Sequence, residues 1–497
     1  MSGLLHSIGN SGPLSQVVLR SGAESVTRTE LLLRVEGLAR RLRQLDLQCV
    51  ALYADNGIDW ILTDLACHSL GIRIVPIPLF FSTGQIRHTL TSSGVEALVS
   101  DQGNLANIID APLMLSPQQP FAGNTRLYLL EANRSVLVPA HTQKITFTSG
   151  TTGTPKGVCL SAAQQVRVAR AVHAAVTEHG PNHLSVLPLS TLLENIAGVY
   201  AAMLSGGTVI VPGLADIGIK GSSGLDINTL LGCISESEPN TLILVPELLN
   251  ALATAAECGW RPPSSLHFVA VGGGKVSPQL LRRARQAGLP AYEGYGLSEC
   301  ASVVTLNVPG DDRVGSVGRP LSHVSVGVDR GELVISGSEF LGYVNQPETW
   351  TPGHVRSGDL GSIDDDGFVI VSGRVKNQLI TSFGRNLSPE WVESELTAGN
   401  LLQQAIVIGD ARPFCVALVH PRSPATTTEE IDAWIRRVNQ QLPDYARVLD
   451  WQLMPQPASR ENGTMTDGGK IKRSVIANFY QTEIEHMYAS KAEASNQ

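Results

Sequence analysis

An α/β architecture with mainly parallel sheets, followed by a separate C-terminal domain, is predicted from three observations. Residues 1–135 alternate amphipathic helix with apolar strand, the pattern of βα units. The chain has 497 residues, more than a single core accommodates. After Val371 its character changes, and a polar connector, Ser372-Gly-Arg-Val-Lys-Asn377, precedes a region with its own strand and helix pattern. The expected division is residues 1–373 and 374–497.

Thr29 to Leu45 places Leu31, Leu32, Val35, Leu38, Ala39 and Leu42 at helical spacing. Cys49 to Tyr53 reads as a buried strand, Ile58 to Leu70 as a helix and Ile72 to Ile77 as a second strand. Ile145 to Thr148 is apolar and strand-like, and Ser161-Ala-Ala-Gln164 has the form of a capping box. It opens a helix whose Val168, Val172 and Val176 share one face. Further strands are expected at Leu184 to Leu187, Thr208 to Val211, Thr241 to Val245 and Phe268 to Val271. Beyond the connector, Ala405 to Ile408 and Val416 to Val419 read as strands and Ile431 to Leu442 as a helix. Gly221 to Gly224 reads as a mobile loop, and the last ten residues as frayed.

Hydrophobic residues make up 43% of the chain and charged residues 16%, which suits large buried sheets and argues against disorder. A net charge of −8 gives no electrostatic reason to bind nucleic acid or an anionic membrane. The seven cysteines are dispersed, without CxxC or Cys/His ligand spacing, so neither a disulfide framework nor a zinc site is expected. No apolar run reaches membrane-spanning length and no secretory signal stands at the N-terminus, so a cytoplasmic protein is expected.

The chemistry concentrates in Ile145-Thr-Phe-Thr-Ser-Gly-Thr-Thr-Gly-Thr-Pro-Lys-Gly157. A strand, a loop of small hydroxylated residues and a following helix form a phosphate cradle. Glycines let backbone N–H groups converge, hydroxyls donate, and Lys156 neutralises charge. It is not a Walker A loop, because Pro precedes the Lys and Gly follows it. Thr148-Ser-Gly-Thr-Thr-Gly-Thr-Pro-Lys156 resembles the phosphate loop of the adenylate-forming superfamily, the acyl-CoA synthetases, peptide-synthetase adenylation domains and beetle luciferases.

The resemblance runs from about Thr27 to Tyr488, with the motifs in family order. It implies a large N-terminal domain of stacked α/β sheets that binds ATP and acid, and a small mobile α+β C-terminal domain. Phosphate contacts fall on Thr148, Ser149, Gly150, Thr151, Thr152, Gly153 and Lys156. Tyr292-Glu-Gly-Tyr-Gly-Leu-Ser-Glu299 is similar to the second core motif. There Tyr295 flanks adenine, Ser298 meets the α-phosphate and Glu299 holds Mg²⁺; the family's usual hydroxyl at 298 is Thr. Gly272 and Gly273, after a buried strand, match a turn that packs on adenine. Asp359 matches the ribose acceptor, Arg374 a ribose or phosphate contact, Lys376 the hinge and Gly384 a close-approach position on the pantetheine tunnel. Asp364-Asp365-Asp366-Gly367 reads as a solvated turn.

Glu461-Asn-Gly-Thr-Met-Thr-Asp-Gly-Gly-Lys-Ile-Lys-Arg473 resembles the C-terminal motif of long-chain acyl-CoA synthetases. Its position favours Lys470 as the catalytic ammonium, with Lys472 the alternative. Leu187-Pro-Leu-Ser-Thr-Leu-Leu-Glu-Asn195 is closer to the long-chain enzymes than to peptide-synthetase domains, although Thr191 replaces a His. Ile196 to Leu204 fits an acyl-pocket wall and core packing equally.

The resemblance therefore implies activation of an apolar, fatty-type carboxylic acid to acyl-AMP, with transfer to CoA. The rival acceptor is the phosphopantetheine of an acyl carrier protein, and the third reading is a non-catalytic nucleotide- or acyl-binding relative. A Lys that neutralises charge during adenylation and then moves away so that a thiol can reach the acyl-AMP implies rotation about Lys376.

Overall fold

Thr27 begins the first long helix, Arg28–Gln44, with a complete capping box: its hydroxyl accepts from the Glu30 N–H, and the Glu30 carboxylate accepts from the Thr27 N–H. Of the apolar face read from the sequence, Leu31, Val35, Leu38, Ala39 and Leu42 are buried and Leu32 is partly buried. The helix Ile58–Leu70 is buried on nearly every side and touches strands of both large sheets. It is one of the struts between them.

The computed structural model describes residues 3–495 apart from 104, 106–107, 109–113, 116–119, 132, 134, 149–154, 177–179, 221–223, 339, 383–385 and 467–470. Its described residues form two large sheets, of nine and eight strands. Both are parallel in the middle and antiparallel at the edges, so the expected parallel pattern holds only for the central strands. A four-stranded antiparallel sheet follows, Ser325–Asp329, Glu332–Ser336, His354–Ile363 and Val369–Arg374.

Three expectations change. The phosphate loop does not run directly into a helix, because strand Lys156–Ser161 comes first. It pairs antiparallel with Thr142–Thr148, placing Lys156 opposite Thr148. The helix Ala162–Val176 therefore starts one strand length away from Lys156, on the order of 20 Å. The connector is also not a loop throughout: Ser372 to Arg374 complete a strand, and Val375–Asn377 forms a 3-10 turn. Finally, the C-terminal helix Gln481–Ser495 continues through the polar tail expected to fray.

The C-terminal part is a three-stranded sheet with helices packed on it. Its strands distribute side chains by the two-residue period: Ala405, Val407, Cys415, Ala417 and Val419 join one apolar cluster, while Ile406, Val416 and Leu418 join another. Among the described residues, no helix is long and apolar enough to cross a membrane.

Candidate active site

Asp359 lies in the antiparallel sheet directly opposite Arg374. This register brings the Arg374 Nε to 2.7 Å from Asp359 Oδ1, and the Tyr295 hydroxyl donates to Oδ2 at 2.7 Å. Asp359 is buried, whereas the Arg374 side chain is 49% exposed. Burial and the neighbouring carboxylate push the Tyr295 phenol well above its ordinary range, so it remains a hydrogen-bond donor. Three predicted residues, separated in sequence, thus form one cluster.

Tyr295 and Ser298 flank the end of strand Ala291–Leu297, and a 3-10 turn, Ser298–Cys300, carries Glu299. The following backbone takes positive φ at Ala301 (54°) and Ser302 (100°), an unfavourable conformation for side-chain-bearing residues that turns the chain sharply back. Glu299 Oε1 accepts from the Tyr343 hydroxyl at 2.7 Å, and Lys156 Nζ lies 5.3 Å from the centre of the same ring. Desolvation and the Glu299 charge raise the Tyr343 pKa. Lys156, Glu299 and Tyr343 thus converge from three separate segments. No spacing signal in the sequence marks Tyr343; it is recruited because Gly342–Tyr343 pairs with strand Lys156–Ser161.

Gln164 also differs from its predicted role. Its backbone N–H donates to Ser161 Oγ at 3.0 Å, half of the expected capping box. Its side chain instead donates to the Glu299 carbonyl at 2.9 Å and to Ser338 Oγ at 2.9 Å, tying the helix to the 3-10 turn. Ser149, Gly150, Thr151, Thr152, Gly153, Gly384 and Lys470 lie outside the described residues. Thr148 and Lys156 bracket the phosphate loop, and Pro155 O lies 3.0 Å from His88 Nε2. Lys376 is exposed in the 3-10 turn, and Lys472 precedes the helix Arg473–Phe479.

A cavity of about 280 Å³ extends from Gly272, Gly273, Tyr295 and Ser298 to Val172, Val176, Ala201 and Ala202. Gly273 has φ +81°, a backbone conformation that favours glycine. One wall is the π-helix Leu193–Tyr200, whose wider turn divides the ambiguous apolar segment between two roles. Ala197 and Gly198 line the cavity, whereas Ile196, Val199 and Tyr200 enter the core. Thr191 lines the cavity as well, its hydroxyl donating to the Pro188 carbonyl.

Two polar residues of the lining, His183 and Thr241, join a network with Glu194. His183 Nε2 lies 2.7 Å from Glu194 Oε1, and His183 Nδ1 lies 2.9 Å from Thr241 Oγ1. Glu194 Oε2 accepts from the Leu187 N–H at 3.0 Å. Gly198 gives this pair room: a Cβ there would stand 2.5 Å from both Glu194 Oε1 and His183 Nε2. Lys, Arg, Asp and Glu are absent from the described lining.

Comparison with known proteins bears on the family and the fold. The family model for AMP-binding enzymes matches residues 10–344, and that for the AMP-binding enzyme C-terminal domain matches residues 376–492. A long-chain-fatty-acid–CoA ligase of Mycobacterium bovis is 27% identical over 566 aligned positions, covering 93% of this chain and 92% of that protein. A 2-succinylbenzoate–CoA ligase of Bacillus pumilus is 26% identical, covering 76% of this chain and 78% of its own length. The anthranilate CoA ligase AuaEII, solved with anthranoyl-AMP, shares the fold with a TM-score of 0.79 at 18% identity, covering 96% of each chain. With both family models spanning the two parts of the molecule, the chain belongs to the AMP-binding enzyme family and is an AMP-forming acid–thiol ligase.

Proposed function

We propose that this ligase activates an apolar monocarboxylic acid to acyl-AMP and transfers the acyl group to the thiol of CoA. The observation that carries this reading is the cavity without Lys, Arg, Asp or Glu in its described lining. Apart from His173 and His183 the described lining offers no partner ionisable near neutral pH, so burying a second carboxylate or an ammonium there would carry a large desolvation cost. That disfavours a 2-succinylbenzoate-like diacid and an amino acid. The volume, about 280 Å³, is roughly twice the ~150 Å³ of an engineered cavity that holds benzene. It suits a tail on the order of ten carbons, or an aromatic ring with a short chain.

In this reading residues 1–373 bind ATP and acid, and residues 374–497 turn about Lys376. The adenine rests between the Gly272–Gly273 turn and Tyr295, and Asp359 and Arg374 take the ribose. Thr148 to Lys156 hold the phosphates, and Ser298 meets the α-phosphate. Glu299 offers one carboxylate oxygen engaged by Tyr343 and a second, Oε2, with no hydrogen bond among the described residues. No cluster of three His, Cys, Asp or Glu suited to a metal occurs among them. A lone carboxylate suits Mg²⁺, which keeps waters and shares phosphate oxygens. When bound, Mg²⁺ supplies charge neutralisation on the phosphates.

The acid carboxylate oxygen bonds to the α-phosphorus as its bond to pyrophosphate breaks, with Lys470 offsetting the charge that gathers there. The thiolate sulfur then bonds to the acyl carbon and AMP leaves, the thiol proton passing to solvent. All seven cysteines are unpaired, which supports a reducing cytoplasm.

Pyrophosphate exchange with acetate, octanoate, palmitate, 2-succinylbenzoate and phenylalanine tests the reading. Octanoate should exchange fastest, and Lys470→Ala should lower exchange by roughly 10²–10³-fold, with Lys472→Ala much less affected. Faster exchange with 2-succinylbenzoate or phenylalanine, or none with any acid, would overturn it.

A further inference from the structure

Arg460 makes a contact that the chemistry above does not use. Its Nη1 donates to the Phe80 carbonyl at 2.9 Å, and its guanidinium carbon lies 5.5 Å from the centre of the Phe80 ring. One side chain thus joins residues 380 positions apart, across the two parts of the molecule. Only Arg supplies both halves of this contact: a planar cation that stacks on the ring and a directed N–H for the carbonyl.

Each end is built into a relevant frame. Phe80 packs edge-on against buried Phe81, and Ser82 caps the helix Thr83–Ser93 with Gln85. His88, on that helix, meets Pro155 O at the end of the phosphate loop and packs on Phe147 in the preceding strand. Arg460 lies in a turn in which the Gly463 N–H donates to the Arg460 carbonyl and the Thr464 N–H to the Ser459 carbonyl. Ala458 is fastened to strand Leu402–Ile408 by two hydrogen bonds with Gln404, of 2.7 and 3.0 Å. The Lys472 N–H donates to the Thr464 carbonyl at 2.9 Å, and Met465 pairs with Ile471. The turn anchored by Arg460 is therefore also the base from which the chain departs toward position 470 and to which it returns.

A second contact across the two parts has a different character. Arg283 reaches Ala398 O at 2.6 Å and Asn400 Oδ1 at 3.2 Å, but it also bonds Glu257, Asn250 and Thr254 on its own side. Its guanidinium keeps those partners when the C-terminal part moves. The Arg460–Phe80 contact instead ties the C-terminal turn to a backbone carbonyl and a ring of the large domain.

We propose that Arg460 is a positioning residue for acyl-adenylate formation, holding the Ser459–Met465 turn against the phosphate-loop side of the large domain through Phe80. The inference rests on the reading that Lys470 serves the first half-reaction and withdraws before the second. It predicts that loss of the Arg460 contact slows the first step and spares the second.

The test measures the two half-reactions separately in the full chain. Arg460→Ala should lower octanoate-dependent pyrophosphate exchange by roughly tenfold or more, in kcat rather than in the KM for ATP. Thioester formation from supplied octanoyl-AMP and CoA should be unchanged or faster. Arg460→Lys, which keeps the charge and a donor without the plane, should recover part of the exchange. Phe80→Leu, which removes only the ring, should show the same sign and guards against misfolding of the first variant. Equal losses in both half-reactions, a loss in thioester formation alone, or no loss at all would overturn the proposal. Absence of exchange in the wild type would overturn the proposed function and this inference with it; normal wild-type exchange with an unaffected Arg460→Ala would overturn this inference alone.

Discussion

Two buried aspartates each hold a cation and a tyrosine hydroxyl, one deep between the large sheets and one at the candidate nucleotide site. Asp64 takes Lys144 Nζ at 3.0 Å, the Tyr200 hydroxyl at 2.5 Å and Asn195 Nδ2 at 3.0 Å. Asp359 takes Arg374 Nε at 2.7 Å and the Tyr295 hydroxyl at 2.7 Å. In the first cluster the side chains of the ion pair are 0% and 1% exposed, so every partner must be protein. Burial pushes the Lys144 ammonium down in pKa, and Asp64 opposes that shift. In the second, Arg374 stands half in solvent and Tyr295 faces the cavity. The same chemistry makes a strut where it is closed and, in the function proposed above, a ribose receptor where one side is left open.

The largest effect should separate these two roles. Lys144→Met leaves Asp64 buried without its cation and should destabilise the fold by about 3–5 kcal/mol, measured by urea unfolding. A variant as stable as the wild type would contradict the strut. Asp359→Asn should leave the unfolding midpoint nearly unchanged but raise the KM for ATP by roughly ten- to hundredfold, the loss of charge-assisted bonds of about 1.5–3 kcal/mol. A stability loss matching that of Lys144→Met would erase the distinction.

Glu293 tests the interval between the two. Burial raises its pKa to about 7 from 4.5, with Lys275 opposing the shift. The folded state therefore holds a proton that the unfolded chain has released between pH 4.5 and about 7. Its contribution to stability falls as pH rises through that window and is flat above it. Glu293→Gln should remove this slope and stabilise the protein at pH 8 by roughly 1–3 kcal/mol, with a smaller gain at pH 5. An equal effect at both pH values would show that ionisation is not the source.

Some of this was legible because its physical cause is local. Leu31, Val35, Leu38, Ala39 and Leu42 form a buried helix face as their spacing predicts, and the Ile58–Leu70 helix is bounded as its apolar pattern predicts. The order of the Gly, Thr and Lys motifs identified the family, since a backbone that approaches phosphate needs those residues consecutively. Register lay beyond that reach. Motif resemblance alone assigned Arg374 to the ribose or phosphate, and only antiparallel pairing showed that it stands opposite Asp359. The intervening strand Lys156–Ser161 removed a helix terminus from the phosphate loop, although Ser161 and Gln164 carry a good cap signal.

What the sequence determined by itself is therefore the class of elements and the chemistry of its contiguous motifs, because turns, caps and alternation depend on neighbouring residues. The tertiary structure decided the cavity whose described lining lacks Lys, Arg, Asp and Glu, the recruitment of Tyr343 to Glu299 and the reach of Arg460 to Phe80. Each depends on how far apart stacked sheets stand and which strand edges meet. Those distances are fixed jointly by side chains hundreds of positions apart, and no local pattern contains them.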